Sequence, residues 1–178
     1  MPEKNKLEIF DISNKRKKDT IEQLIESSSP TQSFYLILIL SAVITTFGIV
    51  LDNVAVVIGG MLVSPLLSPL LAVSMGIVLA DYKLILRSLK IVLYSVGFVV
   101  IISLIFAFFL VEKELNSEIV SRIYPNLLYF GIALASGVAA AFAIAKEEFS
   151  ERMVGVAVAI ALLPPLSVIG IGIAYWNM

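Results

Sequence analysis

Two short segments of this sequence set hydroxyl groups beside prolines in apolar surroundings: Ser64-Pro65 with Ser68-Pro69, and Pro164-Pro165 with Ser167. A proline removes one backbone donor and leaves the carbonyl four residues earlier without its helical partner. In hydrocarbon such groups must be satisfied by protein or by a water-lined cavity, so a broken apolar helix is a place to hold a solute or ion. Hydroxyls and unwound carbonyls suit a small cation, half-helix N-termini suit an anion, and these residue types serve either. Gly59 and Gly60 precede the first break and admit a close backbone approach. The candidate ligand-binding set is therefore Gly59, Gly60, Ser64, Pro65, Ser68, Pro69, Pro164, Pro165 and Ser167. Where helical geometry persists, Ser64 and Ser68 share one face. Asp52 and Asn53, a polar pair between two apolar runs with no basic neighbour, are the candidate ion or proton port, with a hydrated interfacial turn as the structural alternative. Prolines also kink membrane helices without any site, their freed groups taken up by Ser, Thr or a neighbouring helix.

Catalytic chemistry has little to work with. The sequence has no cysteine and no histidine, which removes disulfides, thiol nucleophiles, imidazole bases and the commonest transition-metal ligands. No acid, base or nucleophile constellation lies within the apolar runs, so neither an enzyme, a cofactor nor a metal centre is expected.

The elements that must position the two proline segments follow from composition. Hydrophobic residues make up 59% of the chain and charged residues 15%, the mean hydropathy is +0.98, and the charges crowd into a few intervals. This predicts an all-α, polytopic transmembrane helix bundle. Five spans are expected, over 34–51, 54–80, 91–111, 127–145 and 153–176, none with an internal charge. An apolar core of about 30 Å takes about 20 residues, which these lengths meet, the first only just. The second would form a straight helix of about 40 Å, so it must tilt, kink or break, and its prolines say where. The fifth is expected to break at Pro164-Pro165.

Lysine and arginine set the expected orientation. Lys4, Lys6, Lys15, Arg16, Lys17 and Lys18 precede the first span; none lies between the first and second; Lys83, Arg87 and Lys90 lie between the second and third. Lys113 and Arg122 follow the third span, and Lys146 and Arg152 the fourth. With the N-terminus inside, all but Lys113 and Arg122 fall on the inner side. The expected location is the cell membrane, with a cytoplasmic N-terminus and an external C-terminus. A re-entrant hairpin over 54–80 would instead put Lys83, Arg87 and Lys90 outside.

Residues 1–30 form a cytoplasmic basic tail with no secretory signal pattern, and 31–178 the membrane domain. Within the tail, Ile21, Leu24 and Ile25 lie at helical spacing after Lys15-Arg16-Lys17-Lys18, which suits a short amphipathic helix on an anionic leaflet; a solvated topogenic tail is the simpler alternative. In the connection over 112–126, Leu115, Ile119, Ile123 and Tyr124 form one apolar stripe along the outer interface, while Glu112, Glu114 and Glu118 solvate it. An offset of 99 residues lays Pro65 on Pro164, Leu67 on Leu166 and Ser68 on Ser167, which raises an inverted repeat with an odd span between its halves. Small residues at four-residue spacing, Gly131 with Ala135 and Ala133 with Gly137, mark helix-packing faces.

The run Val57-Ile58-Gly59-Gly60-Met61-Leu62-Val63-Ser64-Pro65-Leu66-Leu67-Ser68-Pro69 and the segment Ala161-Leu162-Leu163-Pro164-Pro165-Leu166 resemble the signatures of the uncharacterised hydrophobic-protein family catalogued as domain of unknown function 389. The resemblance runs from about Phe34 to the C-terminus. It implies the membrane bundle, supplies no substrate, and implies a sixth span beyond the double proline, which a partner subunit would have to complete here if the repeat is to be whole. The expected function is passage of a small solute or ion through a site at the broken helices; the alternative is a non-transporting scaffold or sensor. The expected partners are the lipid bilayer, a second copy of the chain and that small solute or ion, not nucleic acid.

Overall fold

The computed structural model describes the backbone of residues 30–109, 115–124, 127–145 and 151–176, and the side chains of these residues except 129, 140–145, 151–161 and 176. Among them the chain forms seven helices and no strand: α1 (Gln32–Val50), α2 (Val54–Val63), α3 (Leu67–Val78), α4 (Tyr82–Phe109), α5 (Ser117–Ile123), α6 (Leu127–Ala145) and α7 (Glu151–Trp176). The fold is all-α, as composition and periodicity require. Both α1 and α4 are long and apolar enough to cross a membrane, and α2 with α3, bent by 57°, makes a third candidate if the pair is one span.

Two turns between helices repeat one sequence and one geometry. Gly48-Ile49-Val50-Leu51-Asp52-Asn53 closes α1, and Gly76-Ile77-Val78-Leu79-Ala80-Asp81 closes α3. In each, a residue with left-handed backbone, Asp52 (φ 52°) or Ala80 (φ 53°), stops the helix. The next amide returns to the glycine carbonyl, Asn53 to Gly48 and Asp81 to Gly76, both at 2.9 Å, which satisfies a carbonyl the helix end would orphan. That same residue then caps the following helix. Asn53 accepts from the Val56 N–H at 3.2 Å; Asp81 accepts from the Lys83 and Leu84 N–H groups at 2.9 and 3.1 Å. Glycine is required at both starts by close approach: a methyl on Gly48 would stand 2.7 Å from the Val57 nitrogen, and one on Gly76 would stand 2.8 Å from Ile85 Cγ1. Each turn thus folds its two helices back on one another.

Direction follows from the contacts between more distant helices. Tyr35 meets Phe98 with ring centroids 5.2 Å apart, and Phe47 meets Phe106 at 5.5 Å, so α1 and α4 run parallel. Helix α7 runs the same way: Leu163 and Leu166 share a buried cluster with Phe34, Leu38 and Ile91, whereas Ile171 and Ala174 share another with Ile49 and Ala107. Val57 and Met61 of α2 belong to the second cluster and Leu66, after it, to the first. The α2–α3 pair therefore runs against the other three.

The helix that carries the third apolar run begins at Tyr82, nine residues before the expected span. Lys83, Arg87 and Lys90 lower the hydropathy there, yet they lie on the exposed face while Leu84, Ser88 and Ile91 are buried on the other. The expected break in the fifth run is absent, since α7 continues from Glu151 to Trp176 with Pro164 and Pro165 inside it. Two prolines remove the donors for the carbonyls of residues 160 and 161, and the bonds on either side hold the helix through the gap. Pairing the two motifs as equivalent breaks fails with it. Of the stripe in the connection, Ile119 is buried against the bundle, while Leu115, Ile123 and Tyr124 face outward. The tail with its expected helix, together with Glu112 and Glu114, lies outside the described residues.

Left-handed backbone costs an alanine about 1–2 kcal/mol and costs glycine nothing, against roughly 0.5–1 kcal/mol for glycine's greater unfolded freedom. Ala80→Gly is therefore expected to raise stability by about 0.5–1 kcal/mol, read as a higher thermal midpoint in detergent micelles. A lower midpoint would contradict the turn geometry at Ala80.

Candidate functional site at the helix break

The break begins with the donor that Pro65 lacks. Ser64, before it, is pushed to extended backbone (φ −64°, ψ 129°), and its N–H turns back to the Met61 carbonyl at 3.1 Å. The Gly60 carbonyl, whose helical partner would have been that N–H, is left over. Ser41 on α1 takes its place, donating its hydroxyl to the Gly60 oxygen at 3.0 Å in a fully buried bond. The approach that makes this possible requires Gly60 to have no side chain, because a methyl there would stand 2.2 Å from Thr45 Oγ1 and 2.9 Å from the Thr45 nitrogen. Gly59 has nothing within 4 Å of such a methyl, so of the two glycines only Gly60 meets another backbone.

The two prolines here act differently. Pro65 ends α2, whereas Pro69 is buried in the first turn of α3, where its missing N–H would have had no partner anyway. Leu66 precedes α3 without any side-chain cap. Ser64 and Ser68 do not share a helical face, contrary to the spacing argument, because the break falls between them.

The break and the double proline do meet. Leu66 is buried in one apolar cluster with Leu38 and Ala42 of α1, Ile91 and Val99 of α4, and Leu163 and Leu166 beside the prolines of α7; Pro164 itself is fully buried. Around that cluster lie hydroxyls with no hydrogen-bond partner among the described residues: Thr45, Ser64, Ser95 and Ser167. Ser95 stands one turn from both Ile91 and Val99, and Ser167 one turn from Leu163, so each shares the face that carries the cluster. A buried hydroxyl without a partner costs about 1–3 kcal/mol, so four in one region demand an explanation. One further pair is satisfied: Thr46 donates to the Ala42 carbonyl at 2.7 Å, and its hydroxyl lies 2.9 Å from Ser103 Oγ.

Ser41, Thr45 and Ser95 were not singled out from sequence. A helical wheel contains the signal: Ser41 and Thr45 fall one turn apart beside Leu38 and Ala42, and Ser88, Ser95 and Ser103 alternate with Leu84, Ile91, Val99 and Ala107 along the buried face of α4.

Asp52 and Asn53 stand apart from this cluster, at the turn after α1. The Asp52 carboxylate accepts from the Ser117 hydroxyl at 2.9 and 2.8 Å and from the Glu118 N–H at 2.9 Å, at the start of α5. In return, the Asn116 amide donates to the carbonyls of Ile49 and Val50 at 2.5 and 3.2 Å, at the end of α1. Each helix end thus caps the other. Glu118, itself buried, holds Arg122 in an ion pair at 2.5 Å. Among the described residues no three His, Cys, Asp or Glu side chains come together as a metal site.

Helices of this apolarity, with a Gly-Gly-Met-Leu-Val-Ser-Pro break packed on a Leu-Leu-Pro-Pro-Leu segment, define the class of the chain. A family model described as Domain of unknown function (DUF389) matches residues 61–178, and the chain belongs to that family. It is 42% identical over 136 residues to the uncharacterized protein MJ0678 of Methanocaldococcus jannaschii, an alignment covering 76% of this chain and 42% of the relative. The chain thus spans less than half the length of that relative. No solved structure matches it.

The contrast between the glycines is testable. Gly60→Ala is expected to cost about 1–3 kcal/mol through overpacking against Thr45. Gly59→Ala is expected to be neutral or to gain up to about 1 kcal/mol of helix propensity. Thermal midpoints of the purified variants check this, and equal loss in both would contradict the approach of α1 to Gly60.

Proposed function

We propose that this chain is an integral protein of the cell membrane with five crossings, one of them the bent α2–α3 pair, and that it passes a small hydrophilic solute or ion along the seam between α1, the break, α4 and α7. The N-terminus lies in the cytoplasm and the C-terminus outside. The observation carrying the transport reading is the set of buried, unpartnered hydroxyls, Thr45, Ser64, Ser95 and Ser167, around a helix broken at Ser64–Leu66. Such hydroxyls offer a moving solute successive weak partners, which lets it enter and leave. The directions of the helices support the crossings, since α1, α4 and α7 run one way and α2–α3 the other. Exposed apolar side chains on α6, among them Leu128, Phe130 and Leu134, suit lipid and a neighbouring copy, and Gly131 and Gly137 on that helix face open space.

A specific observation favours the second reading, a non-transporting scaffold. The Gly60 carbonyl is already satisfied by Ser41, and the contact between break and double proline is made by Leu66, Leu163 and Leu166. Under that reading the prolines shape packing only.

Reconstituted liposomes distinguish the two. Under the transport reading, the wild type raises either glycerol-driven swelling or potassium chloride conductance above empty liposomes, and Ser64→Ala/Ser95→Ala/Ser167→Ala lowers that flux at least fivefold while the protein stays folded. Unchanged flux in the folded variant removes these hydroxyls from the mechanism. Absence of both fluxes in the wild type favours the scaffold.

A further inference from the structure

At the end of the bundle where α1 and α4 begin, a cavity of about 530 Å³ opens beside α4, lined by Tyr35, Lys83, Arg87, Lys90 and Tyr94 among others. We propose that it binds the phosphate of an anionic phospholipid of the inner leaflet, an inference that rests on the membrane-spanning reading above.

The first support is position along the helix. The 28 residues of α4 extend about 42 Å, against an apolar core of about 30 Å. The surplus is the first part of the helix, which carries Lys83, Arg87 and Lys90, placing all three at headgroup depth. With Tyr94 they recur every three or four residues and so fall on one face, over a rise of about 16 Å. That is the reach from a headgroup into the upper acyl chain.

Charge is the second support. Among the described residues that line the cavity are three cations and no carboxylate. The Asp81 carboxylate is already taken up by the amides of Lys83 and Leu84 at the start of the helix, and it does not line the cavity. The two lysines supply compact charges with rotatable donors that suit phosphate oxygens.

The walls fit a lipid better than a free ion. Tyr35 and the exposed Tyr94 present apolar rings with a polar tip, the form found at the bilayer interface. Ile91, on the same wall, continues into the buried core and offers an apolar surface to an acyl chain. Pro30, just before the first helix, also lines the cavity.

The test titrates the purified full chain in detergent with dioleoylphosphatidylglycerol and reads bound lipid by native mass spectrometry. The wild type is expected to retain phosphatidylglycerol through detergent exchange and not dioleoylphosphatidylcholine. Lys83→Gln/Lys90→Gln is expected to weaken its apparent affinity on the order of thirtyfold, and Lys83→Arg/Lys90→Arg to restore it, which excludes a folding defect. Equal retention of both lipids overturns the proposal, as does full affinity in the glutamine variant. Competition by millimolar inorganic phosphate that displaces the lipid completely assigns the site to free phosphate and overturns its lipid source. Carbonate extraction of native membranes keeps the two inferences apart: a protein released into the soluble fraction sinks the membrane reading, whereas a retained protein indifferent to phosphatidylglycerol sinks this site alone.

Discussion

The arrangement depends on one backbone carbonyl. Pro65 leaves α2 a donor short, the Ser64 amide is drawn to Met61, and the Gly60 oxygen would be stranded in an apolar interior but for the Ser41 hydroxyl. An unsatisfied carbonyl in such surroundings costs several kcal/mol, so the break exists only where α1 lies against it. That closeness in turn demands a bare Gly60 over Thr45. Proline, glycine and serine, from two helices, form one device.

Once α1 and α2 are locked, the rest of the core has little freedom. The turn at Asp52 sets α2 against α1, and its counterpart at Ala80 sets α4 against α3 by the same pattern of left-handed residue, returned amide and capping side chain. With one antiparallel step on each side of the bend, α4 comes back parallel to α1, where Thr46 meets Ser103 and the aromatic pairs fall into register. Asp52 and Asn116 then tie the end of α1 to α5. The bent pair carries Leu66 to the wall of α7 beside Pro164, which is how two motifs 99 residues apart come to share a cluster.

Much of this was legible in the sequence. Apolar runs free of charge located most of the helices, because burial and lipid both exclude charge, and Pro65 located the bend because its chemistry acts locally. The start of α4 was not legible by hydropathy: Lys83, Arg87 and Lys90 lower a window average although Leu84, Ser88 and Ile91 keep a buried face. Pro164 and Pro165 misled in the other direction, since a proline weakens a helix locally while packing on Leu66 and its neighbours decides whether the helix continues. The partners of Asp52 and Gly60 had no local signal, for they come from Ser117 and Ser41, chosen by the tertiary fold. Of the candidate site residues, the structure brings Gly60, Ser64, Pro164 and Ser167 to one region, splits Ser64 from Ser68, leaves Gly59 facing open space, and assigns Asp52 and Asn53 to caps.

If the bend at Ser64–Leu66 lies within one crossing, as proposed, α4 starts on the face of the membrane opposite the turn after α1. The native chain has no cysteine, so single substitutions report cleanly. Leu51→Cys and Tyr82→Cys, both at exposed positions, can be labelled with a membrane-impermeant maleimide in sealed vesicles of each orientation. The two are expected to label from opposite faces, with Leu115→Cys following Leu51→Cys. Labelling of Leu51→Cys and Tyr82→Cys from the same face would make α2–α3 a re-entrant hairpin and contradict the single crossing.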